Sequence, residues 1–128
     1  MTEQILWIPG RLPGLNELEK ARGIVFKGAR GNGYNRLKQD SQRRIILLAR
    51  SQLTPVSRAQ FAYEFHEPDK RRDPSNIAGG GIKIIEDALQ LAGIIHNDGW
   101  ASIAGFTVSF SVDKTEPGVL VRIEGVTA

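Results

Sequence analysis

The sequence predicts a small α+β domain, one mixed or antiparallel sheet with helices packed on it. Three observations lead there. Apolar residues alternate at period two over residues 59–66, 107–112 and 119–124. They recur at helical spacing over two longer stretches, residues 34–53 and 74–92. A chain of 128 residues, 41% hydrophobic and 24% charged, has the size and composition of one folded domain covering residues 1–128.

Residues 4–8, Gln-Ile-Leu-Trp-Ile, are a short apolar run closed by Pro9-Gly10, an opening strand. Residues 9–14 are turn-rich, because Pro fixes φ and Gly frees it. Asn16 is placed to cap a short helix through Lys20 and Ala21. Residues 23–33 hold four glycines with Lys27 and Arg30, a basic loop able to close on a ligand. Tyr34 to about Leu53 reads as a long helix, with Leu37, Ser41, Ile45 and Leu48 on one side. Arg36, Arg43 and Arg50 recur every seven residues on another, and Pro55 stops the helix.

Ala59 to His66 is a half-buried strand, with Phe61, Tyr63 and Phe65 facing one way. A polar loop follows over residues 67–73. Asp73 then stands at an N-cap and Pro74 at the first helical position of a second long helix. That helix runs to about Ala92 and stops at Gly93. Two strands close the chain: Val108, Phe110 and Val112 alternate with polar residues, as do Val119, Val121 and Ile123 with theirs. Lys114 to Gly118 would join them as a hairpin.

Composition narrows the chemistry. There is no cysteine, so disulfides, thiolate zinc sites and a cysteine nucleophile are excluded, and two histidines do not make a histidine-rich metal site. No apolar run approaches a membrane span, and the first residues lack the pattern of a signal peptide, which together predict a cytoplasmic protein. The net charge of +3 is unevenly spread. Residues 20–50 carry nine Lys or Arg against one acid, a net of +8, whereas residues 82–128 carry three bases and six acids, a net of −3. A polyanion held by the basic part is one reading, and a solvated helix face is the other.

The second long helix has a polar stripe, Asn76, Gly80, Lys83 and Asp87, beside an apolar one of Ile77, Ile84, Ala88 and Leu91. Asp73 lies at its mouth and Asp98 just beyond its end, where the returning chain could bring the two acids together. Acids converging near a lysine suit metal-dependent phosphodiester hydrolysis, since Mg²⁺ takes one or two carboxylates plus water and phosphate. Each residue also has a plainer role. Asp73 serves as an N-cap, Lys83 and Asp87 form an i,i+4 pair, and Asp98-Gly99 is a turn. Three consecutive glycines, Gly79 to Gly81, imply a close approach to the helix, by a DNA backbone or, in preference, by another helix.

Residues 67–76, Glu-Pro-Asp-Lys-Arg-Arg-Asp-Pro-Ser-Asn, continued by Lys83, Asp87-Ala88-Leu89, Ala92-Gly93 and Asn97-Asp98-Gly99-Trp100, resemble the RusA family. The likeness extends to residues 8–17 and to Val112-Asp113-Lys114, is nearest to the phage and prophage branch, and is weakest over residues 20–60. The family consists of small dimeric Holliday-junction resolvases that need Mg²⁺. The resemblance therefore implies a RusA-like dimer that cuts four-way or other branched DNA in a bacterial or phage-infected cell. Asp73 and Asp98 would be catalytic acids and metal ligands, and Lys83 the catalytic lysine, with Mn²⁺ able to replace Mg²⁺. Lys27, Arg30, Arg36, Arg43, Arg50, Arg71 and Arg72 would meet the phosphates. Two departures stand out. Ser75 occupies the place of the family's second acid, so it would act on metal only through a water, leaving Asp87, Glu86 or Asp69 as substitutes. Lys83 follows Asn76 by seven residues where the shorter family form has three, about one helical turn or roughly 6 Å along the axis. The alternative to a nuclease is thus a junction-binding protein that no longer cuts.

Overall fold

A computed structural model describes residues 3–22 and 33–127; Lys27 and Arg30, expected to meet phosphates, lie outside them. The order of elements is β1 (Glu3–Pro9), α1 (Leu15–Ala21), α2 (Gly33–Gln52), β2 (Ala59–Glu67), α3 (Pro74–Leu91), β3 (Ile103–Val112) and β4 (Gly118–Gly125). This is the α+β arrangement read from the sequence. The four strands form one mixed sheet in the order β1-β4-β2-β3. β4 pairs antiparallel with both β1 and β2, while β3 runs parallel to β2 at the edge.

That order corrects the expected hairpin. β3 and β4 are consecutive in sequence but lie on opposite sides of β2. Residues 113–117 therefore cross the end of β2, a span of two strand spacings, roughly 10 Å, that a tight turn could not bridge. β2 buries Ala59, Phe61, Tyr63, Phe65 and Glu67 on one face and pairs with β4 along one edge and β3 along the other.

The core lies between the sheet and α2 and α3. Leu6, Ile8, Val119, Val121 and Ile123 join the β2 aromatics from the sheet, and Ile45, Ala49, Ile77, Ile84, Ile85, Ala88 and Leu89 come from the helices. α2 packs on β1, α3 on β2, and α1 bridges the two long helices. Among the described residues, the extensive contacts of β3 are with β2. α3 begins and ends where the sequence places it, with Asp73 at the N-cap and Pro74 first. Gly93, at φ +79°, reverses the chain, and Ile94 N–H reaches back to the Leu89 carbonyl at 2.9 Å. α1 differs from expectation: Gly14 is its N-cap, one residue before the helix that Asn16 was expected to cap.

Candidate functional site

The first turn of α3 is tied into the fold. Asn76 is buried, and its side-chain oxygen accepts the Asn16 N–H at 2.6 Å while its amide donates to Glu17 at 3.2 Å. A residue sixty positions away thus satisfies a donor at the start of α1, where Asn16 lies inside the helix rather than at its N-cap. The Gly14 N–H donates to the same Glu17 carboxylate at 3.3 Å. Burial alone would raise the Glu17 pKa, but its bonds to Arg72 and Asn76 hold it below the usual carboxylate range.

Arg72 completes this knot. Its guanidinium donates twice to Glu67, at 3.1 and 2.8 Å, once to Glu17 at 2.7 Å and once to the Leu12 carbonyl at 2.9 Å. Its side chain is 10% exposed and that of Glu67 7%. With four of five N–H groups committed, Arg72 is a strut between the α1 entry and β2 rather than a phosphate contact. Glu67, read as the start of a polar loop, is buried as its partner. Arg71 remains exposed, beside Asp69 at 3.7 Å.

Gly80 explains the glycine run. A Cβ there would run into the Pro13 carbonyl and the Gly14 backbone, and one on Gly81 would meet the Phe65 ring at 2.7 Å. The close approach is made by the loop leading into α1, with the neighbouring β2 ring. Of the polar stripe expected from spacing, Asn76 and Gly80 therefore serve packing. Lys83 and Asp87 do not.

These two residues belong to an ionic cluster further along α3. Lys83 Nζ donates to Asp98 at 2.8 Å and lies 3.2 Å from Asp87, whose other oxygen is 3.0 Å from Lys38 of α2. The Asp98 hydrogen bond, aided by Asp87, raises the Lys83 pKa against a smaller effect of burial. In return the Lys83 hydrogen bond and charge lower that of Asp98. Glu86 borders the cluster and accepts the Tyr63 hydroxyl at 3.1 Å. Burial pushes its pKa up; the Tyr63 bond pulls against that, and the Asp98 charge adds to it. Tyr63 itself is shifted up, first by burial and then by the Glu86 charge. Lys38 and Tyr63 carried no local signal, since each meets the cluster across a packed interface.

Asp98 is positioned by its turn. The Asn97 side chain accepts the Gly99 N–H at 2.8 Å, and the Asn97 N–H donates to the buried Ser102 hydroxyl at 3.3 Å. Asp73 sits elsewhere, ten residues and about 15 Å of helix rise before Lys83. Its carboxylate is exposed, makes no capping bond, and lines a cleft of about 550 Å³ with Asp69, Ile77, Phe110 and Val112. Ser75, next along the helix, is also exposed. The structure thus joins Lys83 to Asp98 and to Asp87, and leaves Asp73 outside that cluster.

Among the described residues no three acids or histidines stand close enough together to hold a metal ion. The donors on offer are the separate exposed carboxylates of Asp73 and Asp98, a sparse set for Mg²⁺, which fills most of its coordination with water and phosphate. On α2, Arg36, Arg43 and Arg50 are exposed, Arg43 with Asp40 at 3.8 Å. They lie roughly 120–160° around the helix from Lys38, at 3.6 residues per turn, and so turn away from α3. No helix of the described residues is long and apolar enough to cross a membrane. Comparison with models of known protein families finds no match, and comparison with curated proteins finds none.

Proposed function

We propose that this chain is a Mg²⁺-dependent, structure-selective endodeoxyribonuclease that resolves four-way DNA junctions during recombination and repair. It would act as a homodimer in the cytoplasm of a bacterial or phage-infected cell. The contact between Lys83 and Asp98 carries the reading. These two residues are fifteen positions apart, were picked out by their likeness to RusA resolvases, and meet at 2.8 Å. An exposed ion pair adds little stability, at most about 1 kcal/mol, so its placement asks for another purpose.

In this reading Asp73 and Asp98 would each offer a carboxylate to Mg²⁺ at separate places along α3, with Ser75 reaching an ion beside Asp73 through a water and Asp87 in reserve beside Asp98. Bound there, Mg²⁺ would neutralise charge developing on the scissile phosphate and activate water. Lys83 keeps its proton throughout the neutral range and presents a fixed ammonium to the phosphate oxygens. Arg36, Arg43 and Arg50 hold phosphates of a second arm across α2, positioning the junction without reading its sequence. The spread of a four-way junction suits cationic surfaces that face different ways.

The second reading is a junction binder that does not cut, favoured by the hydroxyl at Ser75 and by the lack of three clustered donors among the described residues. Gel shift and cleavage on one labelled four-way junction, with wild type and Ser75→Asp, separate the two. A resolvase cuts as wild type. A binder shifts the junction in preference to linear duplex, and Ser75→Asp raises cutting without altering affinity. Equal affinity for duplex and junction would reject both.

A further inference from the structure

We infer that the Trp100 indole is a stacking platform for an unpaired nucleobase, so that the chain meets DNA where a base has left the helical stack, beside the pair of Lys83 and Asp98. The inference deepens the proposed function and rests on that reading of the chain as a DNA-acting protein. It starts from the unlike placing of the two tryptophans. Trp7 is half-buried on the sheet, its ring edge-on to that of His66 with centroids 5.8 Å apart. Trp100 is 93% exposed, more than any other large apolar side chain among the described residues. A side chain able to bury on the order of 200 Å² is thus left in water.

The turn that carries it is tightly bonded. The Ser102 and Ile103 N–H groups both donate to the Gly99 carbonyl, at 3.2 and 3.0 Å, so Trp100 follows the first residue of a closed turn. The Gly99 N–H donates to the Asn97 side chain at 2.8 Å, and the Asn97 N–H to the buried Ser102 hydroxyl at 3.3 Å. The Ser102 carbonyl accepts the Ala59 N–H at 2.9 Å, which anchors the turn to β2. The indole is therefore held out on a fixed backbone, and little ordering entropy is lost when a ligand packs on it.

Its neighbours indicate what packs there. Two residues of chain reach at most about 7 Å, so Trp100 stands close to Asp98, whose carboxylate accepts Lys83 Nζ at 2.8 Å. Phe106 comes to the same neighbourhood from the sheet. It is 51% exposed and packs edge-on against Tyr63, whose hydroxyl donates to Glu86 at the border of that cluster. Aromatic faces beside an exposed ammonium suit a nucleotide, which joins a flat base to an anionic backbone. They suit a protein partner less, because the centre of a protein interface is depleted of charge, and Lys83 and Asp98 are both exposed. Within a duplex each base is stacked on both sides, so only a branch point, an end or a single strand offers a free face. Every base has such a face, and stacking on Trp100 therefore selects structure rather than sequence.

Fluorescence of Trp7→Phe, in which Trp100 is the sole tryptophan, reads the contact directly. In EDTA at low salt a short oligothymidylate should quench the indole to saturation, whereas a long duplex at equal nucleotide concentration should bind with far less quenching. In the otherwise native chain, Trp100→Ala should weaken binding of a labelled oligothymidylate, followed by anisotropy, on the order of tenfold or more. Trp100→Phe should recover most of that loss, with circular dichroism unchanged in both variants. Strand binding without quenching, equal quenching by duplex, or Trp100→Ala binding as wild type would each overturn the inference and leave the proposed function standing. Strand binding through Trp100 by a chain that neither prefers nor cuts junctions would overturn the proposed function alone. A chain that binds no DNA would overturn both, and an indole shielded from acrylamide by self-association would assign Trp100 to contact with a second copy and so overturn the inference.

Discussion

The two ends of α3 put similar residues to opposite uses. At its N-terminal end Arg72, Glu67, Glu17 and Asn76 form a buried network that fastens the helix to α1 and β2. Further on, Lys83, Asp87 and Asp98 pair in or near solvent, with Glu86 half-buried beneath them. Charges that hold a fold are withdrawn from water and saturated with hydrogen bonds, because an unpaired buried ion is expensive. Charges left in or near solvent stay where a ligand can reach them. The dividing line falls within a single run of sequence. Arg72 is locked, whereas Asp73 beside it has an exposed carboxylate.

The sharpest way to break this contrast is Arg72→Ala. It strands the Glu67 carboxylate, and the expected loss is about 3–5 kcal/mol in urea unfolding; a loss under 1 kcal/mol would mean that the network is not what fastens α3. Gly80→Ala comes next, at about 1–3 kcal/mol for overpacking, because Pro13 and Gly14 leave no room for a methyl group. Its companion Gly79→Ala meets only the Leu15 side chain, 3.5 Å away, and should be tolerated or slightly stabilising.

Glu86 gives a pH-dependent test of the boundary between the two ends. Its pKa is raised in the fold from 4.5, so the folded chain favours the protonated form. Its contribution is favourable at low pH and is lost as pH rises from about 4.5 through the folded value. Glu86→Gln should therefore raise the unfolding midpoint at pH 7, with the gain vanishing below about pH 4.5. A midpoint difference independent of pH would show that packing, not ionisation, is at work. The smallest effect on stability belongs to Lys83→Met, at most about 1 kcal/mol for so exposed a pair, although it should abolish cutting. A large loss of stability would place Lys83 among the structural charges.

The fold was largely legible because its signals are local. Period-two and helical patterns, the Asp73-Pro74 start and the Gly93 stop each lie within a few residues and reappear in the structure within one or two positions, except that β3 begins at Ile103, four residues before the alternation read from Thr107. What the sequence did not disclose depends on distant partners. Asn76 looked like part of a polar stripe until Asn16 and Glu17 proved to be its neighbours. Arg72 looked like an exposed base because Leu12 and Glu17 arrive from fifty-five to sixty residues away. The hairpin failed for the same reason, since nothing in residues 113–117 signals that β2 stands between the strands they join. Of the candidate site, the returning chain brings Asp98 to Lys83 rather than to Asp73, the acid it was expected to meet. The distance from Asp73 to Lys83 was fixed by helix rise once the helix had been placed.

The most direct measurement is incubation of the purified protein with a labelled four-way junction and a matched linear duplex, in Mg²⁺ or EDTA, beside Asp73→Asn and Asp98→Asn. Paired symmetrical nicks on the junction alone, absent in EDTA and in both variants, are the expected result. Cutting that persists in both variants, or a protein that neither cuts nor prefers the junction, would contradict the account.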